Sequence, residues 1–456
     1  MLSQWVSPGA AYDSQERFPA SRCHPGTRTK ILKEIEDWIG AGSGAKMILW
    51  LHGPAGAGKS AIAQTVAGTF AERGQLAASF FFSRSSPGRN ALKHLFPTIA
   101  LQISMSSPHK YQKLQDMLRD NPYIAHRVSG SIDLLASLFR DLPGMLHSPA
   151  THSSPFLVII DGLDECLGNH DQLVILSNVH DLVKKYRLPL RFLITSRPES
   201  HIREKFDEPV MVSVTEVVSI YGDVLAHRDV VRYLNDELRR IQDSQRHKDI
   251  MQFVPKPWPP TRVIEEIANK SGGYFIYAAT AIKYIDEEYF SCLERLDEVL
   301  GTSGTHHDPE QKPFAELDRL YSSVLSASPK SRLPLLKRIL GFLPAFARVS
   351  DVEVFLGLRP GQVNLTLRGL RSIVHLEVGG RLRSFHASFP DFLFDPARAG
   401  DYHVDIEQWH ADNFHRVFSL ANGSMAPVLQ AQGIQKRLVS IAILSRILQN
   451  SRSANL

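Results

Sequence analysis

Cysteine is scarce in this chain: Cys23, Cys166 and Cys292 are the only three in 456 residues. An odd, widely spaced set gives neither a disulfide framework nor the paired spacing of a zinc site, and it fits a reducing compartment. Long apolar runs are also missing. None approaches the roughly 20 residues that a membrane-spanning helix needs, and no transmembrane segment is expected. The amino-terminal stretch MLSQWVSPGAAYDSQERF lacks a basic region followed by an apolar core, so it does not read as a signal peptide. A cytoplasmic or peripheral protein is the expectation. No sign of charge dominates: 52 Lys and Arg stand against 47 Asp and Glu, for a net charge of +5. That bias permits a nucleic-acid or acidic-membrane partner without arguing for one. No sequence repeat is seen at the periods of solenoids or propellers. What is present is ordinary globular composition, 43% apolar and 22% charged, in a length that suggests about three domains.

Residues 1–26 are polar, contain Gly and Pro, and read as a leader or linker. Thr27 to Gly40 carries helical apolar spacing at Ile31, Ile35, Trp38 and Ile39. KMILWLH, LAASFFFSR, PFLVIIDGLDE and LPLRFLITSRPE read as strands, and EPVMVSVTEV as a fifth; helical stretches such as ALKHLFPTIALQIS and SIDLLASLFRDL lie between them. Continuous apolar strands alternating with helices predict a doubly wound, mostly parallel α/β sheet over 27–215. Residues 216–310 read as a helical domain, with GTSGTHHDPEQK as a hinge loop. In 311–400, helices precede two short alternating runs around Gly379-Gly380, a hairpin signal, and together these read as a winged-helix domain. Residues 401–456 read as a helical C-terminal segment.

Three sites at strand ends carry chemistry. The stretch HGPAGAGKSAIAQ follows a strand and opens a helix. It fits G-x-x-x-x-G-K-[ST], with Gly53, Pro54, Ala55, Gly56, Ala57, Gly58, Lys59, Ser60 and Ala61 in the loop. Small residues let the backbone wrap its N–H groups around phosphate oxygens, and the helix start adds its positive dipole end. Lys59 would reach the β- and γ-phosphates and Ser60 would ligate Mg²⁺. In FLVIIDGLDE, the apolar strand delivers Asp161 to its C-terminal end, where ligands of open α/β sheets bind. Asp161 is the second candidate metal residue, acting through water. Either Asp164 or Glu165 would polarise an attacking water. In FLITSRPE, Arg197 ends the next strand. In the common P-loop topology that strand lies between the other two, which puts Arg197 in place as a γ-phosphate sensor.

Taken together, HPGTR, GPAGAGKS, IIDGLDEC, TSRPE, SGGYFIYAATA and FHASFPDFL resemble the NACHT domains of fungal signalling NTPases, of the nephrocystin N-terminal type within the STAND class. The resemblance runs from about Tyr12 to Asp395. It implies a nucleotide-gated switch in which an α/β NTPase core is followed by a helical domain and a winged helix that folds back over ADP. It also implies that His386, in the FHASF block, contacts the ADP β-phosphate, and that Thr27 and Arg28 lie near the adenine. Such proteins usually carry an N-terminal effector and C-terminal repeats. With only 1–26 before the core and 401–456 after the winged helix, the expectation is a truncated product or a stand-alone switch.

The expected function is therefore a regulatory, slow nucleoside triphosphatase binding ATP or ADP with Mg²⁺, GTP not being excluded, and self-associating in its ATP form. The alternative is an origin-recognition-like ATPase that binds DNA. It would need a basic recognition helix from RPGQVNLTLRGLRSIV, with Arg359, Arg368 and Arg371; nucleic acid is the less expected partner. A small-molecule kinase or GTPase fits less well, because Ser271 and Gly272 follow Asn269-Lys270 where guanine recognition wants an aspartate.

Overall fold

The computed structural model describes residues 4–409 apart from 43, 85, 122–123, 125–131, 134, 139–155, 221–224, 289, 302–314, 327, 346, 371, 378, 385 and 387. Half of the SIDLLASLFRDL stretch, all of the hinge loop but Gly301, and residues 410–456 of the C-terminal segment expected from sequence lie outside the described residues. The chain divides into two compact units, Met1–Asp223 and Val224–Leu456.

The first unit is built on five parallel strands: β1 (Ile48–His52), β2 (Leu76–Phe81), β3 (Phe156–Asp161), β4 (Leu190–Ser196) and β5 (Thr215–Ser219). Their spatial order is β2-β3-β4-β1-β5, so β4 lies between β1 and β3 as the sequence reading requires. The connections include α1 (Thr29–Gly40), α2 (Lys59–Glu72), α3 (Leu92–Ser104), α4 (Pro108–Asp120), α5 (Asn169–Lys184) and α6 (Ser200–Asp207). β4 is buried at every residue and β3 at all but its first, which is what their uninterrupted aliphatic sequences demand of strands covered on both faces. Alternate residues go to opposite faces. Ile48, Trp50, Val158, Ile160, Phe192 and Ile194 join one core with Leu95 and Ile99 of α3, Ile175 and Val179 of α5 and Phe206 of α6. The other face takes α2, which packs on β3 and β4. The fifth strand starts later than EPVMVSVTEV suggests: Pro209–Val212 is a helical turn, with proline at its start, where its fixed φ and missing donor cost least.

Register decides where chemistry can be placed. His52 pairs with Ser196 across β1 and β4, and Phe81 with Asp161 across β2 and β3. The C-terminal ends of the two motif strands and of the strand between them therefore come out on one edge of the sheet.

Residues 4–28 are not a detached leader. The backbone N–H of Ser7 donates to Thr98 Oγ1 at 2.9 Å, that of Tyr12 to Ser79 Oγ at 2.9 Å and that of Cys23 to Thr65 Oγ1 at 2.9 Å. Gln64 Nε2 donates to the Tyr12 carbonyl at 2.7 Å. Ala10 is fully buried in the same core as β2 and α3. The polar composition of this segment reflects backbone groups that are satisfied by side chains of the core, as buried backbone must be.

The second unit is helical, with one hairpin. Its helices include α7 (Ala226–Gln242), α8 (Thr261–Ser271), α9 (Phe275–Ile285), α10 (Cys292–Gly301), α11 (Ala315–Ser326), α12 (Leu333–Leu340), α13 (Val349–Leu356), α14 (Gln362–Thr366) and α15 (Ser388–Leu393). Leu234, Ile267, Ala281, Tyr321, Ile339, Phe355 and Phe389 share its core. β6 (Val374–Leu376) and β7 (Leu382–Ser384) pair antiparallel. Gly379 at φ +95° and Gly380 at φ +73° turn the chain between them, backbone angles that explain the glycine pair. The stretch offered as a DNA-recognition helix forms only the five-residue α14. Arg359 and Arg368 are exposed on either side of it, and Arg371 lies outside the described residues.

Thr98→Val should remove the acceptor of the buried Ser7 N–H and destabilise the protein by about 1–2 kcal/mol, read as a lower urea midpoint. An unchanged midpoint would show that the amino-terminal segment contributes nothing to the fold.

Candidate functional site

The loop between β1 and α2 is shaped by close packing. A side chain at Gly53 would place its Cβ 3.1 Å from Ile220 Cβ, so the first glycine is there because backbone approaches β5's exit closely. Gly58 caps α2 at φ +94° with no side chain supplying a cap, which leaves the first-turn N–H groups as donors for an anion. Arg28 Nη2 donates to the Ala57 carbonyl at 3.1 Å and braces the loop from outside. Lys59 Nζ donates to the Gly53 and Pro54 carbonyls, both at 2.8 Å. Burial lowers the Lys59 pKa; Asp164, Asp161 and Glu165 oppose that, while Arg197 adds to it.

Asp161, at the end of β3, is 3% exposed. Thr195 Oγ1 donates to its Oδ1 at 2.6 Å, and the Ser60 hydroxyl stands close enough to act on the same carboxylate. Burial raises the Asp161 pKa, and these two hydroxyls pull it down. Thr195 is bifunctional: its Oγ1 also accepts from the Gly162 N–H at 3.0 Å, which fixes the start of the acid turn Leu163–Glu165.

The two acids of that turn have different surroundings. Asp164 is 3% exposed, and both of its oxygens are taken by Arg197: the backbone N–H donates to Oδ1 at 2.9 Å and Nε lies 3.2 Å from Oδ2. Glu165 is half-buried, and its Oε2 accepts only from the Arg84 backbone N–H, at 3.2 Å, in the hydrogen bonds described for its side chain. Burial and the neighbouring Asp164 charge push Glu165 up to about 7, with Arg84 and Arg197 acting against them. A carboxylate poised near neutrality with a free side suits proton transfer; one held bidentate by an arginine suits bracing.

The sequence-selected residues of the first unit thus meet at one sheet edge: Gly53 to Ala61 around the α2 start, Asp161 against Ser60, and Asp164, Glu165 and Arg197 in one charged cluster. Arg197 reaches the cluster through Asp164. Arg28 touches the loop directly. Thr27 is buried and its hydroxyl donates to the His24 carbonyl at 2.7 Å, closing the HPGTR turn. His386 belongs to the second unit, where Nδ1 lies 2.9 Å from Ser388 Oγ and accepts from the Ser388 N–H at 3.0 Å. That serine in turn meets Tyr321 OH at 2.8 Å.

Three residues of the site escape a reading of the sequence. Thr195 had a signal, being a polar residue in an otherwise aliphatic strand. Arg84, just past FFFS, looks like the end of a strand, yet its Nη2 donates to the Asp164 carbonyl at 2.9 Å. Arg17 gave none: its guanidinium sits 3.4 Å over the Phe81 ring and is attracted to Asp161. Burial and Arg89 lower its pKa to about 9.

Residues 26–197 match the family model described as Nephrocystin 3, N-terminal. The match spans the phosphate-type loop, the acid strand and Arg197, and covers less than half of the chain. No curated protein matches the chain. Among solved structures, the Walker-type ATPase of Pyrococcus abyssi is similar at 15% identity, with 84% of this chain and 98% of that chain covered and a TM-score of 0.35. The five-stranded parallel sheet with its flanking helices fits an α/β P-loop NTPase fold.

A raised folded-state pKa makes Glu165 a pH-dependent liability. The unfolded chain releases this proton first, so the stability it supports is complete below about pH 4.5 and is lost as pH rises through about 7. Glu165→Gln should therefore match the unsubstituted chain in melting temperature at pH 4 and exceed it at pH 8. Parallel pH–stability curves would contradict the assigned environment of Glu165.

Proposed function

We propose that the chain is a nucleotide-dependent switch that binds ATP or ADP with Mg²⁺ and hydrolyses ATP slowly, in the manner of the NACHT proteins it resembles. The observation that carries this reading is the approach of the Ser60 hydroxyl, at the start of α2, to the buried Asp161 carboxylate at the end of β3, whose pKa it lowers. Two oxygen ligands of the kind a hard cation takes are held together beside a lysine and a helix start with uncapped N–H groups. The donor set fits the ion: hydroxyl and carboxylate oxygens, with no cysteine or histidine ligand.

The first-turn N–H groups of α2 and Lys59 take the β- and γ-phosphate oxygens. Ser60 and Asp161 would hold Mg²⁺, which would supply charge neutralisation to those phosphates. Asp164, engaged on both oxygens by Arg197, orients the acid turn. Glu165 accepts a proton from the water that attacks the γ-phosphorus, as the bond to the ADP oxygen breaks; phosphate and ADP are the products. Arg197 stands beside this pair as the group that senses the γ-phosphate. Thr27 and Arg28 would lie near the adenine in this reading.

The switch follows from differential contact: a γ-phosphate present or absent changes what the site can hold. His386 of the second unit would read the ADP β-phosphate, and loss of that contact would favour a self-associating form, with signalling as the output in the cytoplasm. The base is adenine in this reading, with GTP as the competitor to test.

Lys59→Ala should weaken ATP binding by about 100-fold or more, since it removes the ammonium that contacts two phosphates. Isothermal titration against ATP and ADP checks this, and failure of the unsubstituted chain to bind either at millimolar concentration would end the reading. His386→Ala should raise the self-associated fraction in ADP, measured by light scattering; an unchanged monomer–oligomer balance would remove the histidine from the switch.

A further inference from the structure

The loop that follows β2 is laced to the acid turn, and the proposed chemistry gives it no task. The Phe82 N–H donates to the Asp161 carbonyl at 2.9 Å, and the Leu167 N–H donates to the Asn90 carbonyl at 2.7 Å. Between these two ties stands Arg84. Its backbone N–H donates to Glu165 Oε2 at 3.2 Å, its Nη2 donates to the Asp164 carbonyl at 2.9 Å, and its own carbonyl accepts from Asn90 Nδ2 at 3.4 Å. One residue thus grips both the Glu165 carboxylate and the backbone that carries it.

The division of labour is clear from partners. Arg197, from the end of β4, holds the Asp164 side chain. Arg84, from the β2 side, holds Glu165. The charged groups that face Glu165 are Asp164 on its own turn, Arg84 from the β2 loop, Arg197 from the β4 end and Lys59 from α2. Lys59 and Arg197 are committed to the loop carbonyls and to Asp164. Among the described residues, Arg84 hydrogen-bonds the turn and Asn90, with Glu199 nearby in the same field.

We propose that Arg84 is a positioning residue for Glu165, fixing where the carboxylate stands and supplying its counter-charge from the β2 side. The inference rests on the reading of Glu165 as the proton acceptor. It assigns the β2–α3 loop a part in turnover that is separate from nucleotide binding. A shift of that loop moves Glu165 without touching the phosphate contacts.

The test compares Arg84→Ala and Arg84→Lys with the full unsubstituted chain. Affinity is read with a fluorescent ATP analogue, and hydrolysis as single-turnover rate against pH. Arg84→Ala should bind the analogue within about twofold, hydrolyse about tenfold or more slowly, and show the acid limb of its pH–rate profile shifted to higher pH, because a cation that favours ionised Glu165 is gone. Arg84→Lys keeps the charge but loses the guanidinium Nη2 bond to the Asp164 carbonyl; its acid limb should stay in place while its rate recovers only in part. Unaltered rate and limb in Arg84→Ala would overturn the inference, and so would affinity falling in step with rate while the limb stays fixed. Glu165→Gln separates the two levels: if it hydrolyses at the normal rate, the choice of proton acceptor fails and Arg84 falls with it. If it is inactive while Arg84→Ala is normal, only the role of Arg84 falls.

Discussion

The buried carboxylate of Asp161 is the constraint on which the site depends. A carboxylate out of water is expensive unless hydrogen bonds and charge surround it. Here the charge is arranged from four directions: Thr195 from the neighbouring strand, Ser60 from the first turn of α2, and the more distant cations Lys59 and Arg17. They come from β4, from α2 and from the amino-terminal segment, so the register of the sheet and the angle of α2 are both tied to one oxygen pair. Thr195 extends the tie by holding Gly162, and through Gly162 the turn with Asp164 and Glu165. The same burial that makes Asp161 costly makes it selective, because a cation offered in its place must satisfy oxygen ligands in a desolvated corner.

Much of this arrangement was legible in the sequence. Small residues, a lysine and a serine between an apolar strand and a helical pattern are readable because phosphate loops need backbone rather than side chains. An acid at the end of an aliphatic run is readable because only a strand terminus can bring it to the ligand edge. The place of β4 between β1 and β3 followed from the common P-loop topology, and the rest of the strand order did not come from the sequence. The hairpin followed from Gly379-Gly380, since few residues other than glycine hold positive φ twice in succession.

What stayed hidden depends on contacts between distant segments. The amino-terminal residues look like a leader because they lack apolar periodicity, yet they bind through backbone N–H groups to Thr98, Ser79 and Thr65. A pattern-based reading sees side-chain periodicity, and here the side chains that matter belong to the receiving helices and strand. Arg17 arrives beside Asp161 by that route. The choice between Asp164 and Glu165 was hidden for the same reason: adjacent acids are equivalent in sequence and are separated only by which arginine reaches which oxygen. The expected fifth strand was displaced because Pro209 starts a helical turn first.

The lysine contacts carry a further consequence for what the loop can hold. Lys59 already donates to two carbonyls of its own loop, so a ligand gains from this residue only the difference between its own acceptors and those carbonyls. A neutral ligand offers nothing better than another neutral acceptor, and the exchange is close to even. A phosphate oxygen adds the attraction between opposite full charges that a carbonyl lacks, in surroundings desolvated enough to lower the lysine pKa. The net gain is therefore reserved for anions. It grows with ligand charge, which favours a triphosphate tail over shorter ones before any base contact is made. In the switch proposed above, discrimination by the last phosphate would begin in the loop itself, in the competition for one ammonium group.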